Sequence, residues 1–400
     1  MKRAESIPAG LPAPDAGARA HQQAVEHYLS RQIQDSESGF LPFEQWMDMA
    51  LYAPGLGYYA AGSTKFGATL PTGDFTTAPE LTPLFAQTLA RQVRQILLAS
   101  DSCTVLEFGA GSGAMAAAMI PALRELGLDP VYQILEVSGD LQQRQRQQLA
   151  SFGDAVQWLT ALPHEFSGCI LANEVLDAMP VTLFSWDQQG QLQELGVRMA
   201  PATADDTSSP FELAQRTATS QLQEILARRM PPLPGYQSEI NLRAEAWVRE
   251  MSTWLKQGAA LLIDYGFPQH EYYHPQRAEG TLMCHYRHHA HAQPLLYAGL
   301  QDITAHVDFT AMADAALEGG LDVLGYTSQA RFLMNAGLPE LLAHPAPIGT
   351  SPATQTQTLS AVQKLLSEAE MGELFKVLAI GRGMDQPLLG FIRGDRRDRL

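Results

Sequence analysis

The sequence predicts an α/β protein built on a doubly wound, mostly parallel sheet. Apolar runs of strand length recur at 104–108, 131–137, 155–160, 168–173 and 259–265. Helical patterns separate most of these runs, and the first of them opens into a glycine turn followed by a helix. Parallel strands joined by right-handed crossovers satisfy such an alternation. The 400 residues, 46% hydrophobic, suffice for one large or two modest domains with a sizeable core.

Residues 1–20 hold Pro and Gly but no apolar stretch of the signal-peptide kind, and are expected to be a disordered tail. A helical N-terminal region is expected over 21–100, covering the cofactor site, with a polar helix over 22–34 and an amphipathic one over 43–52 that Pro54-Gly55 ends. Thr77-Ala78-Pro79-Glu80 fits a capping box, with Thr77 as cap and Glu80 reaching back. Thr82-Pro83 offers a second start for a helix running to about Leu98.

The α/β domain is placed at 101–400, interrupted by an insertion over 187–240 that reads as a lid or substrate wall. Within it, 201–210 is a polar loop, 217–230 a helix and Pro231-Pro232-Leu233-Pro234-Gly235 a stiff turn. Near the C-terminus, apolar runs at 375–380 and 387–392 predict a terminal antiparallel hairpin.

The segment Thr104-Val105-Leu106-Glu107-Phe108-Gly109-Ala110-Gly111-Ser112-Gly113 carries most of the functional signal. A strand, a turn through Gly109, Gly111 and Gly113, and a helix N-terminus bring bare backbone N–H groups to a ligand. The pattern alone also suits a dinucleotide. Glu107 shifts the choice to S-adenosyl-L-methionine (SAM), because a carboxylate there would repel a pyrophosphate but can hold the turn or the ligand's amino group. Glu136, ending the second strand, is expected to accept hydrogen bonds from ribose hydroxyls, a device dehydrogenases share.

Asn173-Glu174-Val175-Leu176-Asp177-Ala178-Met179-Pro180 follows the fourth strand, beside the first, where open α/β sheets bind ligands. Asn173 is assigned to the cofactor. Glu174 and Asp177 are candidates to grip the methyl acceptor, since paired carboxylates hold a guanidinium in bidentate fashion and leave a nitrogen facing the methyl group. Their alternative is acids favoured near a helix N-terminus. In Gly73-Asp74-Phe75-Thr76-Thr77, Asp74 and Thr77 are expected at the cofactor, ahead of free helix N–H groups. Asp264-Tyr265-Gly266 ends the fifth strand on the same rim. The stretch 302–309 reads as one alternating strand with Asp302, Thr304, His306 and Asp308 on its polar side, which makes His306 a candidate base. The run His285-Tyr286-Arg287-His288-His289-Ala290-His291 lacks a carboxylate or thiolate at metal-ligand spacing, and no metal is assigned.

The net charge of −16, from 27 basic and 43 acidic residues, argues against a general nucleic-acid binder and suits a cationic substrate. Cys103, Cys169 and Cys284 are widely spaced and odd in number, which points to a reducing compartment, and the expected location is cytoplasmic. No stretch has the length of a membrane span.

Together these residues resemble the MidA family of class I SAM-dependent methyltransferases. The stretches that carry the resemblance are Gly73 to Glu80, Glu107 to Gly113, Asn173-Glu174 with Asp177 and Pro180, Asp264-Tyr265-Gly266, and Asp302 to Phe309. The glycine turn is common to many methyltransferases; the first and last stretches are far more specific. The family's eukaryotic member is a mitochondrial complex I assembly factor regarded as a protein-arginine methyltransferase. The resemblance therefore implies a Rossmann-like class I fold, SAM as cofactor, and an arginine-containing protein substrate such as a respiratory-complex subunit. A small-molecule O- or N-methyltransferase and a non-catalytic assembly factor that keeps the fold are the alternatives.

Overall fold

Five parallel strands form at the apolar runs: β1 (Thr104–Phe108), β2 (Val131–Leu135), β3 (Val156–Leu159), β4 (Phe166–Asn173) and β5 (Leu255–Phe267). Strands β6 (Asp322–Ser328) and β7 (Phe375–Arg382) extend the sheet, whose order is β6-β7-β5-β4-β1-β2-β3. β7 runs antiparallel to both β5 and β6. β1 is paired on both edges, by β2 and β4, and is buried from Val105 to Phe108. The chain leaves β1 toward β2 on one side and returns as β4 on the other. Such a switch point opens a crevice at the carboxyl ends of the strands.

The structure, a computed structural model, describes residues 7–8, 10–61, 77–201, 209–343 and 351–400. The chain divides into two units, and this sheet belongs to the one made of 76–177, 244–268 and 307–400. Helix α1 (Ala78–Leu81) leads into α2 (Pro83–Ala99), whose start follows from Thr82 and Pro83: Thr82 Oγ1 accepts the Leu84 N–H at 3.3 Å. Phe85, Leu89, Val93 and Ile96 recur at helical spacing and are fully buried against Val105, Cys169 and Leu261 of the sheet core. Helices α3 (Ala114–Glu125) and α4 (Gly139–Gln148) follow β1 and β2.

The other unit comprises 1–75, 178–243 and 269–306. Its antiparallel sheet contains Leu41–Pro42, Thr182–Trp186, Leu192–Met199, Phe211–Thr217 and Gln237–Ile240. Helices Ala16–Asp35 and Phe43–Tyr52 pack in the same core, through Val25, Leu29, Phe43, Trp46 and Leu51 against Val181, Leu183 and Val197.

Several expectations are corrected here. The helix expected at 22–34 begins at Ala16, inside the expected tail, because Asp15 caps it by accepting the Ala18 N–H at 3.0 Å. The division expected at residue 100 is not the one observed: 76–100 joins the parallel-sheet unit, and 178–243 with 269–306 joins the N-terminal residues. The expected insertion holds three strands, Leu192–Met199, Phe211–Thr217 and Gln237–Ile240, besides the helix at Ser220–Arg229, and these strands pair within the sheet of the other unit. The terminal hairpin does not form. Both edges of β7 are taken by β5 and β6, so the 387–392 run has no free edge to pair with. It makes instead a 3₁₀ turn at Leu389–Phe391, with the Leu389 and Gly390 N–H groups donating to Gln95 and Gln92. The single strand expected at 302–309 is two short ones, Asp302–Thr304 and Val307–Asp308, one in each unit. Asp302, Thr304 and Asp308 are all buried rather than on a solvent face.

Candidate functional site

Beyond Phe108 the chain turns through Gly109, Gly111 and Gly113 at φ of +60°, +55° and +87°. Side chains rarely adopt this left-handed region, and a Cβ on Gly109 would stand 3.2 Å from Val175 Cγ2. The Gly109 N–H donates to Leu135 O at 3.0 Å, which ties the turn to the end of β2. Gly113 is the N-cap of α3 and, lacking a side chain, gives the first-turn N–H groups no cap of its own.

Glu107 is 3% exposed, and its Oε2 accepts the Tyr132 hydroxyl at 2.8 Å. Burial pushes its carboxyl up to about 7; the Tyr132 hydrogen bond opposes the shift and the nearby Glu136 adds to it. Ionising Glu107 in the folded protein therefore costs free energy between its ordinary pKa near 4.5 and about 7. The protein carries no such cost below the first value and bears it in full above the second. Glu107→Gln is expected to melt near the wild-type temperature at pH 4.5 and above it at pH 8, where the stability difference is on the order of 3 kcal/mol at most. Equal melting temperatures at both pH values would show that Glu107 is not a strained carboxylate.

Glu136 is also buried, and its carboxylate accepts from the Ser138 N–H at 3.0 Å and the Gln145 amide at 3.1 Å. Burial raises its pKa, and these hydrogen bonds hold it back.

At the end of β4, the Glu174 N–H donates to Ile263 O at 2.9 Å, and Glu174 itself takes φ +54°. A non-glycine residue held there bends the chain away from the strand and presents its side chain at the sheet's rim. Asn173 Nδ2 donates to Glu174 Oε1 at 3.1 Å, while the buried Asn173 Oδ1 finds no donor among the described residues. Asp264, at the end of β5, is 1% exposed. It accepts the N–H groups of Leu176 at 3.0 Å, Asp177 at 3.2 Å and Tyr265 at 2.9 Å. The Tyr265 hydroxyl in turn donates to Asp177 Oδ2. Burial, then the charges of Asp177 and Glu174, push the Asp264 carboxyl well above its ordinary range.

The structure thus places Glu107, Gly109, Gly111, Gly113, Glu136, Asn173, Glu174 and Asp177 in one unit, at the carboxyl ends of β1, β2 and β4. Thr77 belongs to that unit, but the capping box does not form. Thr77 makes no side-chain cap, and Glu80 takes a hydrogen bond from Ser112 of the glycine turn. Asp74 lies outside the described residues. His306 belongs to the other unit, in the break between the two short strands, where its N–H donates to Thr281 Oγ1 at 2.9 Å. The alternating strand that made it a candidate base is absent. The sequence reading missed Tyr132, Ser112 and Gln145, which are ordinary polar residues until the fold brings them to Glu107, Glu80 and Glu136. Asp264 and Tyr265 share the rim by sequence, but only the fold shows that they clamp Leu176 and Asp177.

The turn has the backbone donors and the flanking carboxylates that a nucleoside with an amino-acid tail needs, and the buried Asn173 Oδ1, with no partner among the described residues, offers an acceptor. A family model described as "Putative S-adenosyl-L-methionine-dependent methyltransferase" matches residues 86–327. A Burkholderia thailandensis protein, solved bound to S-adenosyl-homocysteine, is 48% identical, with a TM-score of 0.89 over 98% of this chain and 100% of its own. The Drosophila melanogaster protein arginine methyltransferase NDUFAF7 homolog, mitochondrial, is 26% identical over 94% of this chain and 91% of its own. The human protein arginine methyltransferase NDUFAF7, mitochondrial, is 25% identical over 86% of this chain and 80% of its own.

Proposed function

This chain belongs to the family of SAM-dependent methyltransferases, and from that premise we propose that its methyl acceptor is an arginine side chain on a protein. The observation that carries the reading is the trio Glu174, Asp177 and Asp264. The charges of Asp177 and Glu174 are close enough to push the buried Asp264 carboxyl up, and a cationic group beside Glu174 would offset that repulsion. A guanidinium fits, because its planar fork matches carboxylate oxygens in pairs. The Drosophila and human relatives, both named protein arginine methyltransferases, support the same acceptor.

When bound, SAM supplies an electrophilic methyl group on a positively charged sulfur. Gly109 to Gly113, Glu107, Glu136 and Asn173 would hold it. Glu174 would accept hydrogen bonds from the guanidinium and aim one nitrogen along the line of transfer. Asp264 and Tyr265 would keep Asp177 and the backbone of Leu176 in place while this happens. Transfer would break the methyl–sulfur bond and leave the neutral thioether, S-adenosyl-homocysteine, and the proton given up by the newly methylated nitrogen would pass to the Glu174 carboxylate beside it.

The test is to incubate the purified protein with labelled SAM and lysate from a strain lacking it. Label is expected on arginine of a protein, and the Arg→Lys version of that protein is expected to stay unlabelled, since lysine cannot form the paired fork. Label confined to a small metabolite would replace the arginine reading.

A further inference from the structure

We propose that Gln145 is a positioning residue for the cofactor site: one buried amide on α4 holds the glycine turn and Glu136 in a fixed relation. This goes beyond the acceptor reading and does not depend on it.

Gln145 is 0% exposed, and its amide has a partner on each side. Nε2 donates to Gly111 O at 3.0 Å and to Glu136 Oε2 at 3.1 Å. Oε1 accepts the Trp158 indole N–H at 3.0 Å. The orientation of the amide follows from its partners. Indole nitrogen only donates, while a carbonyl and an ionised carboxylate only accept, so the opposite flip would break all three bonds. A glutamine is the side chain that meets this set. A glutamate of the same shape could serve Trp158 but would turn an acceptor toward Gly111 O and a second negative charge toward Glu136.

The surroundings keep the amide where it is. Gln142, one turn earlier on α4, donates to the backbone Glu136 O at 2.7 Å, so the helix grips residue 136 twice. The Arg146 guanidinium lies 4.3 Å from the centroid of the Trp158 ring and pins the indole. Under the turn, a Cβ on Gly113 would meet Gln145 Cγ at 3.6 Å and Leu149 Cδ1 at 3.5 Å, so the stem of Gln145 also forms the floor there. The turn comes from β1 and Glu136 from β2. Gly109 N–H to Leu135 O ties them on one side and Gln145 on the other. A ligand that contacts both therefore meets a cradle already assembled, and binding does not have to order it.

The experiment titrates S-adenosyl-homocysteine calorimetrically into the full chain and its Gln145→Glu and Trp158→Phe variants, with melting temperatures recorded without ligand. Trp158→Phe keeps an aromatic ring and removes the N–H that sets the amide, so it decides the matter if Gln145→Glu does not fold. The expected Kd rises by about tenfold or more in Gln145→Glu and severalfold in Trp158→Phe. KM for SAM should rise in parallel while kcat at saturating SAM stays within about twofold, because no acceptor contact is touched. A lowered melting temperature with Kd within about twofold of wild type in the folded variants would make Gln145 a core residue only and overturn the proposal.

Discussion

Gly109→Val is expected to abolish S-adenosyl-homocysteine binding in a protein that still folds. Wild-type binding at micromolar level, about −8 kcal/mol, should give clear heat in a titration, and the variant none. Two effects act together. Valine is among the residues least tolerant of the left-handed region, and Gly109 sits at φ +60°. Its Cβ would also crowd Val175 Cγ2 at 3.2 Å, so either the turn or the segment leading to Asp177 must move. The strain alone, on the order of 1–3 kcal/mol, is within what a domain of this size tolerates. Gly127→Val is the matched control. Gly127 has φ +83° with nothing within 4 Å of its would-be Cβ, so it carries the backbone strain away from the turn and should bind as wild type. If Gly109→Val retains binding within about tenfold of wild type, the turn is not where the cofactor lies.

Glu174→Gln is expected to bind S-adenosyl-homocysteine normally and to transfer methyl about a hundredfold more slowly. The substitution keeps length and shape, and glutamine meets the same positive φ, so the rim should be unchanged. An amide oxygen can still accept from Asn173 Nδ2. What disappears is the charge that would orient the guanidinium. A charge-assisted hydrogen bond at the reacting group contributes about 2–3 kcal/mol, and each 1.36 kcal/mol is a factor of about ten in rate. Single-turnover rates at saturating SAM read this directly. Loss of cofactor affinity with an unchanged rate at saturation would move Glu174 from the acceptor to the cofactor.

The outcome for Glu174 and Asp177 also shows how their roles separate once the chain is folded. In the sequence they are two acids three residues apart with equal claims on the acceptor. In the structure Glu174 is held at φ +54° by the β5 backbone, while the Asp177 carboxylate is engaged by Tyr265 and its N–H by Asp264. Asp177 is built into the rim, and Glu174 is presented by it. No spacing rule could tell them apart, because the difference lies in a strand more than 80 residues away in the chain.

The sequence by itself determined the five parallel strands, the glycine turn, the helix start at Thr82-Pro83 and the carboxylates at the strand ends. These signals are local: apolar runs, residues that need or forbid positive φ, and caps are read within a few positions of where they act. Only the tertiary structure decided which edges were free, and hence that 387–392 turns instead of pairing with β7. It decided also that Glu80 meets Ser112, that Tyr132 meets Glu107, that Gln145 joins Gly111 to Glu136, and that 302–309 is split between two units. Each of these rests on a hydrogen bond or a strand pairing between segments far apart in the chain. A polar residue's own neighbours carry no record of the partner that folding will bring to it, so such contacts enter only when the sheet and its helices have assembled.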